Sequence, residues 1–114
     1  MNPHWKTLDN LNQLKDIIKA SADKTQVIFK HSTTCGISHG AKSRLEEGWN
    51  FSESDMDFYY LDLLSYRPVS NEVADLLKVT HQSPQILVIK DGMATFNNSH
   101  HAISAQSLSE GIQA

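Results

Sequence analysis

The sequence holds one cysteine, Cys35, so no internal disulfide can brace the fold. It has no long hydrophobic run either. The longest aliphatic stretch is Ile86-Leu87-Val88-Ile89, the size of a strand. A membrane helix needs roughly 20 such residues, so no membrane association is expected. The opening Met1-Asn2-Pro3-His4-Trp5-Lys6 lacks the apolar centre of an export signal. No cationic surplus exists: 10 Lys and Arg stand against 13 Asp and Glu, a net charge of −3, which argues against a nucleic-acid partner. No repeat, low-complexity tract or linker divides the chain. These absences predict one domain over residues 1–114, in a reducing, cytoplasmic setting.

What is present suffices for a core. Of the 114 residues, 39% are hydrophobic, and a chain of this length buries roughly two thirds of its unfolded surface. Leu8, Leu11, Leu14, Ile17 and Ile18 recur at spacings of three and four, predicting a helix over about 10–21 with Asp9 as its cap. Gln26-Val27-Ile28-Phe29-Lys30 reads as a buried strand. The polar loop His31-Ser32-Thr33-Thr34 leads to a helix opening near Cys35 and closing at Gly48 in a left-handed cap. Asp57 to Leu63 is the next strand, and Arg67-Pro68 is read as a break. Val69, Val73, Leu76 and Leu77 mark a third helix over about 69–78. Gln85 to Lys90 is a strong strand, Asp91-Gly92 a hairpin turn, and Ala94 to Asn97 a weaker return strand. Ser104 caps a last helix reaching Glu110, and a short first strand is placed around Trp5. Alternating units of this kind predict a three-layer α/β/α fold with a mixed sheet of four to five strands, the thioredoxin arrangement.

Cys35 carries the chemistry. The first N–H groups of a helix lack internal partners and the dipole is positive there, so that position favours a thiolate. Thr34 can offer a hydroxyl, Gly36 leaves room for an approaching thiol, and Ser38 lies one turn on. Lys30 would assist if its side chain turned toward the loop. The competing reading is an inert buried cysteine, and the small polar neighbours argue against it. Ser83-Pro84 immediately precedes the strand at Gln85. In the thioredoxin topology this place holds a cis proline facing the cysteine, with Ser83 turned to pair with an extended thiol peptide. Six histidines do not make a metal site. A zinc site needs four ligands at clear spacing, so no metal is expected. His31 is read as a hydrogen-bonding loop residue able to tune the cysteine's surroundings.

The segment VIFKHSTTCGIS resembles the active-site segment of the monothiol bacilliredoxin-like (YtxJ-like) family, whose usual motif is Thr-Cys-Pro-Ile-Ser. Lys30, His31, Ser32, Cys35, Ile37 and Ser38 match. Val79 to Gln85 and Asn98 to Ala105 are similar as well. The resemblance implies a thioredoxin fold and a thiol-disulfide oxidoreductase that removes a low-molecular-weight thiol, bacillithiol or glutathione, from S-thiolated client proteins. It makes Cys35 the nucleophile, no bound cofactor being required, and Lys30, Thr34, Gly36, Ile37, Ser38, Ser83 and Pro84 the substrate contacts. Gly36 departs from the family's proline. That change makes Cys35-Gly36-Ile37-Ser38 resemble the Cys-Gly-Phe-Ser motif of monothiol glutaredoxins, and so opens an alternative: an iron–sulfur cluster protein in which two chains share one cluster. A non-catalytic interaction domain of the same shape is a third reading.

Overall fold

The computed structural model describes residues 1–114. Its elements run β1 (Lys6–Thr7), α1 (Leu11–Ala20), β2 (Gln26–His31), α2 (Gly36–Glu47), β3 (Asp57–Asp62), α3 (Arg67–Leu77), β4 (Gln85–Lys90), β5 (Met93–Ser99), a 3-10 turn (His100–Ala102) and α4 (Ala105–Gln113). The sheet order is β1-β3-β2-β4-β5. β2 lies parallel to β3 and antiparallel to β4. The sheet is therefore mixed, as expected, and has five strands.

The central position of β2 explains its composition. All six of its residues are buried, and its side chains alternate between two cores. Val27 and Phe29 join Ala41 and Leu45 of α2 and Leu108 of α4 on one face. Ile28 joins Leu14 and Ile17 of α1 and Val69 and Val73 of α3 on the other. Each of these side chains larger than alanine contributes about 1.5–3 kcal/mol when removed from water. Trp5 completes the first core, with its ring 4.7 Å from Phe58 and 5.7 Å from Trp49.

Several boundaries differ from expectation, each for a local reason. Asn10, not Asp9, caps α1, its side chain accepting from the N–H of Gln13 at 2.8 Å. Arg67-Pro68 opens α3 instead of breaking the chain, because a proline in the first turn gives up an N–H that has no helical partner anyway. Gly48 does end α2, but at φ −92°, outside the left-handed region. Its want of a side chain serves packing: a Cβ there would stand 2.9 Å from Ala105 Cβ of α4. Asp91 and Gly92 form the expected hairpin turn, both at positive φ (52° and 77°). β5 is longer than its sequence promised, since pairing along β4 supplies hydrogen bonds that propensity does not register. Ser104 caps α4 reciprocally with Ser107.

Three parallel strands, β1, β2 and β3, give the sheet a polarity. The loops leaving the carboxyl ends of β2 and β3 carry Cys35 and the start of α3. That is the end where open α/β sheets bind ligands.

Candidate active site

Cys35 is the residue immediately before α2. Its backbone is extended (φ −108°, ψ 122°), its N–H donates to the Ser32 carbonyl at 3.2 Å, and its carbonyl accepts from His39 N at 3.0 Å. The thiol is partly exposed. The first turn of α2 contains no acidic side chain, so no carboxylate opposes a negative sulfur there. Thr34 is exposed, with its hydroxyl 3.4 Å from that of Ser32. Ile37 is 45% exposed and forms an apolar rim beside the cysteine. A Cβ built on Gly36 would meet nothing within 4 Å. The rest of the fold therefore leaves room for a side chain at that position.

Two expected contacts are placed differently. Ser38 is fully buried, and its hydroxyl is already engaged. It accepts from the Ser32 N–H at 3.0 Å and lies 2.6 Å from His31 Nδ1. Ser38 thus fastens the cysteine loop to its helix and does not face a visiting substrate. Lys30 is fully buried, and its Nζ lies 3.1 Å from His81 Nδ1 instead of turning toward the Cys35 loop. Alternation along β2 is the cause: His31 takes the α2 face, so Lys30 takes the opposite one.

His31 is 1% exposed. Burial pushes its pKa down to about 4, helped by the charges of His39 and Lys42 and resisted by Asp62 and the hydrogen bond at Ser38. The ring is neutral near pH 7. Ser38 Oγ accepts from the Ser32 N–H and shares a hydrogen bond with Nδ1 of the ring. A continuous chain follows: His31 is hydrogen-bonded to Ser38, Ser38 accepts from Ser32 N–H, and the Ser32 carbonyl accepts from Cys35 N–H. His31 is thus the last, buried residue of β2 and not the loop residue expected. Its strand position behind Phe29 was the available signal for a buried one.

Ser83-Pro84 is a cis peptide. Lys30 pairs with Gln85, so Pro84 falls beside the His31 end of β2, at the edge that carries the Cys35 loop. The N–H and carbonyl of Ser83 have no backbone partner within the chain, whereas the Pro84 carbonyl accepts from His100 N at 3.1 Å. Gln85 steadies the approach by donating to the Thr80 carbonyl at 3.0 Å. Cys35, the Thr34–Ile37 segment and Ser83-Pro84 therefore share one end of the sheet.

A sheet of this order, with one partly exposed cysteine at the amino end of the second helix and a cis proline before β4, defines a thiol oxidoreductase of the thioredoxin fold. Comparison with known proteins narrows the class. The family model described as monothiol bacilliredoxin BrxC matches residues 6–108, and the chain belongs to that family. A solved structure described as a candidate oxidoreductase with a thioredoxin fold is 31% identical, with a TM-score of 0.80, over 94% of this chain and 92% of its own. The thioredoxin of Malassezia sympodialis is 19% identical, TM-score 0.72, over 95% and 87%. That of Fasciola hepatica is 18% identical, TM-score 0.72, over 95% and 96%. The two thioredoxins speak for the fold alone. No helix is long and apolar enough to cross a membrane.

Proposed function

We propose that this protein removes bacillithiol from mixed disulfides on client proteins, with Cys35 as nucleophile and Thr34, Gly36, Ile37, Ser83 and Pro84 lining the path of the substrate. The observation that carries the reading is a lone sulfur, partly exposed, at the amino end of α2. The Cys35 thiolate attacks the bacillithiol sulfur of the mixed disulfide. The client–bacillithiol S–S bond breaks, a Cys35–bacillithiol S–S bond forms, and the client sulfur leaves as a thiolate that takes a proton from water. A second small thiol then attacks the adduct, releasing a small-molecule disulfide and regenerating Cys35. No second cysteine exists to resolve the adduct internally. The unpaired backbone groups of Ser83 support an extended client peptide alongside the cysteine. The small thiol is a co-substrate and no bound cofactor takes part. The setting is one where small thiols are kept reduced, the cytoplasm.

The test is release of bacillithiol from a client peptide, followed by mass spectrometry. The native protein should strip the peptide and carry the adduct transiently on Cys35, whereas Cys35→Ser should do neither. Turnover by Cys35→Ser would overturn the mechanism. The cluster-binding alternative rests on the Cys35-Gly36-Ile37-Ser38 string. It would be carried by visible absorbance after anaerobic reconstitution with iron and sulfide, lost in Cys35→Ser.

A further inference from the structure

Arg44 lies in the last turn of α2, is half-buried, and takes part in no ion pair. Its donors go to main-chain carbonyls instead. Nε donates to Ile103 O at 2.8 Å and Nη2 to His100 O at 3.1 Å. Long side chains on a helix lean toward its amino end, here the Cys35 end. Gly40, one turn nearer Cys35, leaves room for this one: a Cβ there would stand 3.4 Å from Arg44 Nη1. His100 is held from its other side as well, since its N–H donates to the Pro84 carbonyl at 3.1 Å. Its backbone sits at φ 56°, in the left-handed region that a residue with a Cβ seldom adopts. Such a conformation persists only where the surroundings over-determine it, and bonds on both sides of His100 do so. Beside Pro84 stands Ser83, whose N–H and carbonyl have no backbone partner. The helix that opens at Cys35 is thus tied to the Ser83-Pro84 segment through Arg44 and His100.

We propose that Arg44 is a positioning residue for client recognition: through His100 and Pro84 it fixes the free backbone groups of Ser83 at the Cys35 end of the sheet, so that an extended client peptide meets a preformed edge. This deepens the redox reading above and rests on it. Arg44 touches no substrate. Its influence passes through the main chain, so the imidazole of His100 takes no part. An edge held in place beforehand reduces the ordering that peptide binding would otherwise require. Bonds from a charged donor are the stronger kind, which suits a guanidinium to this task. Without it the His100 carbonyl keeps only the Ile103 N–H, at 3.4 Å, and the left-handed backbone loses its firmest tie. The favoured substrates are mixed disulfides whose cysteine lies in an extended peptide, over those of a single cysteine.

The experiment compares two mixed disulfides of bacillithiol, one with an extended client peptide and one with cysteine alone. In the native protein the peptide should have a KM lower by about tenfold, the factor expected from two main-chain hydrogen bonds of ordinary strength. Arg44→Met should bring the two KM values together, while kcat and the rate of Cys35 alkylation by iodoacetamide stay within about twofold of native. Arg44→Lys, with one ammonium for two carbonyls, should keep part of the difference. His100→Gly removes the imidazole and keeps both main-chain bonds, so its peptide KM should stay near native. Circular dichroism confirms that each variant is folded, and Arg44→Lys carries the test if Arg44→Met does not fold. A native KM difference in folded Arg44→Met overturns the proposal, as does slowed alkylation of Cys35 in parallel with client turnover. A peptide KM in His100→Gly as high as in Arg44→Met assigns the effect to the imidazole and overturns it too. Equal KM values in an active native protein overturn the positioning role alone. A native protein that strips neither substrate overturns it together with the redox reading beneath it.

Discussion

The two ends of the central sheet treat charge in opposite ways. At the amino ends of β1, β2 and β3, Asp57 receives Lys6 at 3.3 Å, Lys24 at 3.0 Å and Gln26 Nε2 at 2.9 Å. Burial works to raise its pKa, but the hydrogen bonds from Gln26, Lys24 and Lys6 outweigh it and hold the carboxyl below the usual range. At the carboxyl ends, Lys30, His31 and His81 are buried or half-buried bases held with lowered pKa values, and no salt bridge balances them. The saturated end is a structural clasp. The unsaturated end keeps its hydrogen bonds, Lys30 with His81 and His31 with Ser38, but no carboxylate balances its charge.

The sharpest way to break this comparison is to remove the buried cation. Burial pushes Lys30 down to about 8 from an ordinary 10.5, and the side chain is fully enclosed. Below pH 8 the folded chain therefore holds a charge that the unfolded chain holds more comfortably, a cost of roughly 3 kcal/mol. The cost fades as pH rises from 8 toward 10.5, where the unfolded lysine also loses its proton. Lys30→Met preserves the volume and removes the charge, so it should be more stable than the parent at pH 7 by up to roughly 3 kcal/mol. Urea unfolding at pH 7 and pH 10 measures the difference, which should shrink at the higher pH. A variant less stable than the parent at pH 7 would mean that the cation is compensated after all.

Acid separates the two ends by pH window. His31 has an ordinary pKa of 6.5 and a folded value of about 4. Between those values the unfolded chain takes a proton that the folded chain refuses. Stability should fall by roughly 3 kcal/mol as pH drops from 6.5 to 4, then level off. His31→Gln keeps a hydrogen-bonding group for Ser38 and should flatten that window. Asp57 acts lower. Its depressed pKa supplies stability that is present above the ordinary value of 3.8 and is lost as pH falls through the folded value. Asp57→Asn should therefore cost stability at pH 7, by about 2 kcal/mol, and flatten the steepest part of the curve below pH 4. Identical acid profiles for the two variants would merge the ends into one electrostatic unit.

How far the sequence discloses this pattern depends on which force sets each feature. Apolar periodicity is strong in α1 and α3, and both helices are legible to within about two residues at most boundaries. Gln85 to Lys90 and the Asp91-Gly92 turn are legible because burial and backbone chemistry agree there. Cys35 at a helix start is legible for the same reason: strand, polar loop and helix follow in one short segment. Facing is harder. Lys30 and Ser38 look like polar residues near a thiol, and only strand alternation and helix rotation show that one enters the α1/α3 side and the other the interior. The Lys30–His81 contact joins residues 51 apart, and local pattern cannot supply it. The 3-10 turn at His100–Ala102 is similar. It is held by Arg44, whose guanidinium donates to the carbonyls of His100 at 3.1 Å and Ile103 at 2.8 Å, a tertiary tie with no periodicity.

The smallest expected effect concerns the departure from the family motif. Gly36 occupies the first position of α2 outside the left-handed region, with open space where a side chain would stand. Proline suits that position, since its fixed φ is helical and the N–H it removes has no helical partner. Gly36→Pro also reduces the freedom of the unfolded chain, an effect of about 0.4–1 kcal/mol. The expected result is a Tm higher by about 2–5 °C. The substitution takes away a backbone donor next to the Cys35 sulfur, so thiol exchange should slow modestly, by less than about tenfold. Scanning calorimetry and the client-peptide assay read the two effects separately. A higher Tm with slower exchange would show that the unsaturated end keeps this amide for the sulfur at the expense of rigidity. A lower Tm would show that the Gly36 backbone already makes a bond that proline breaks, and the line drawn between the two ends would have to move.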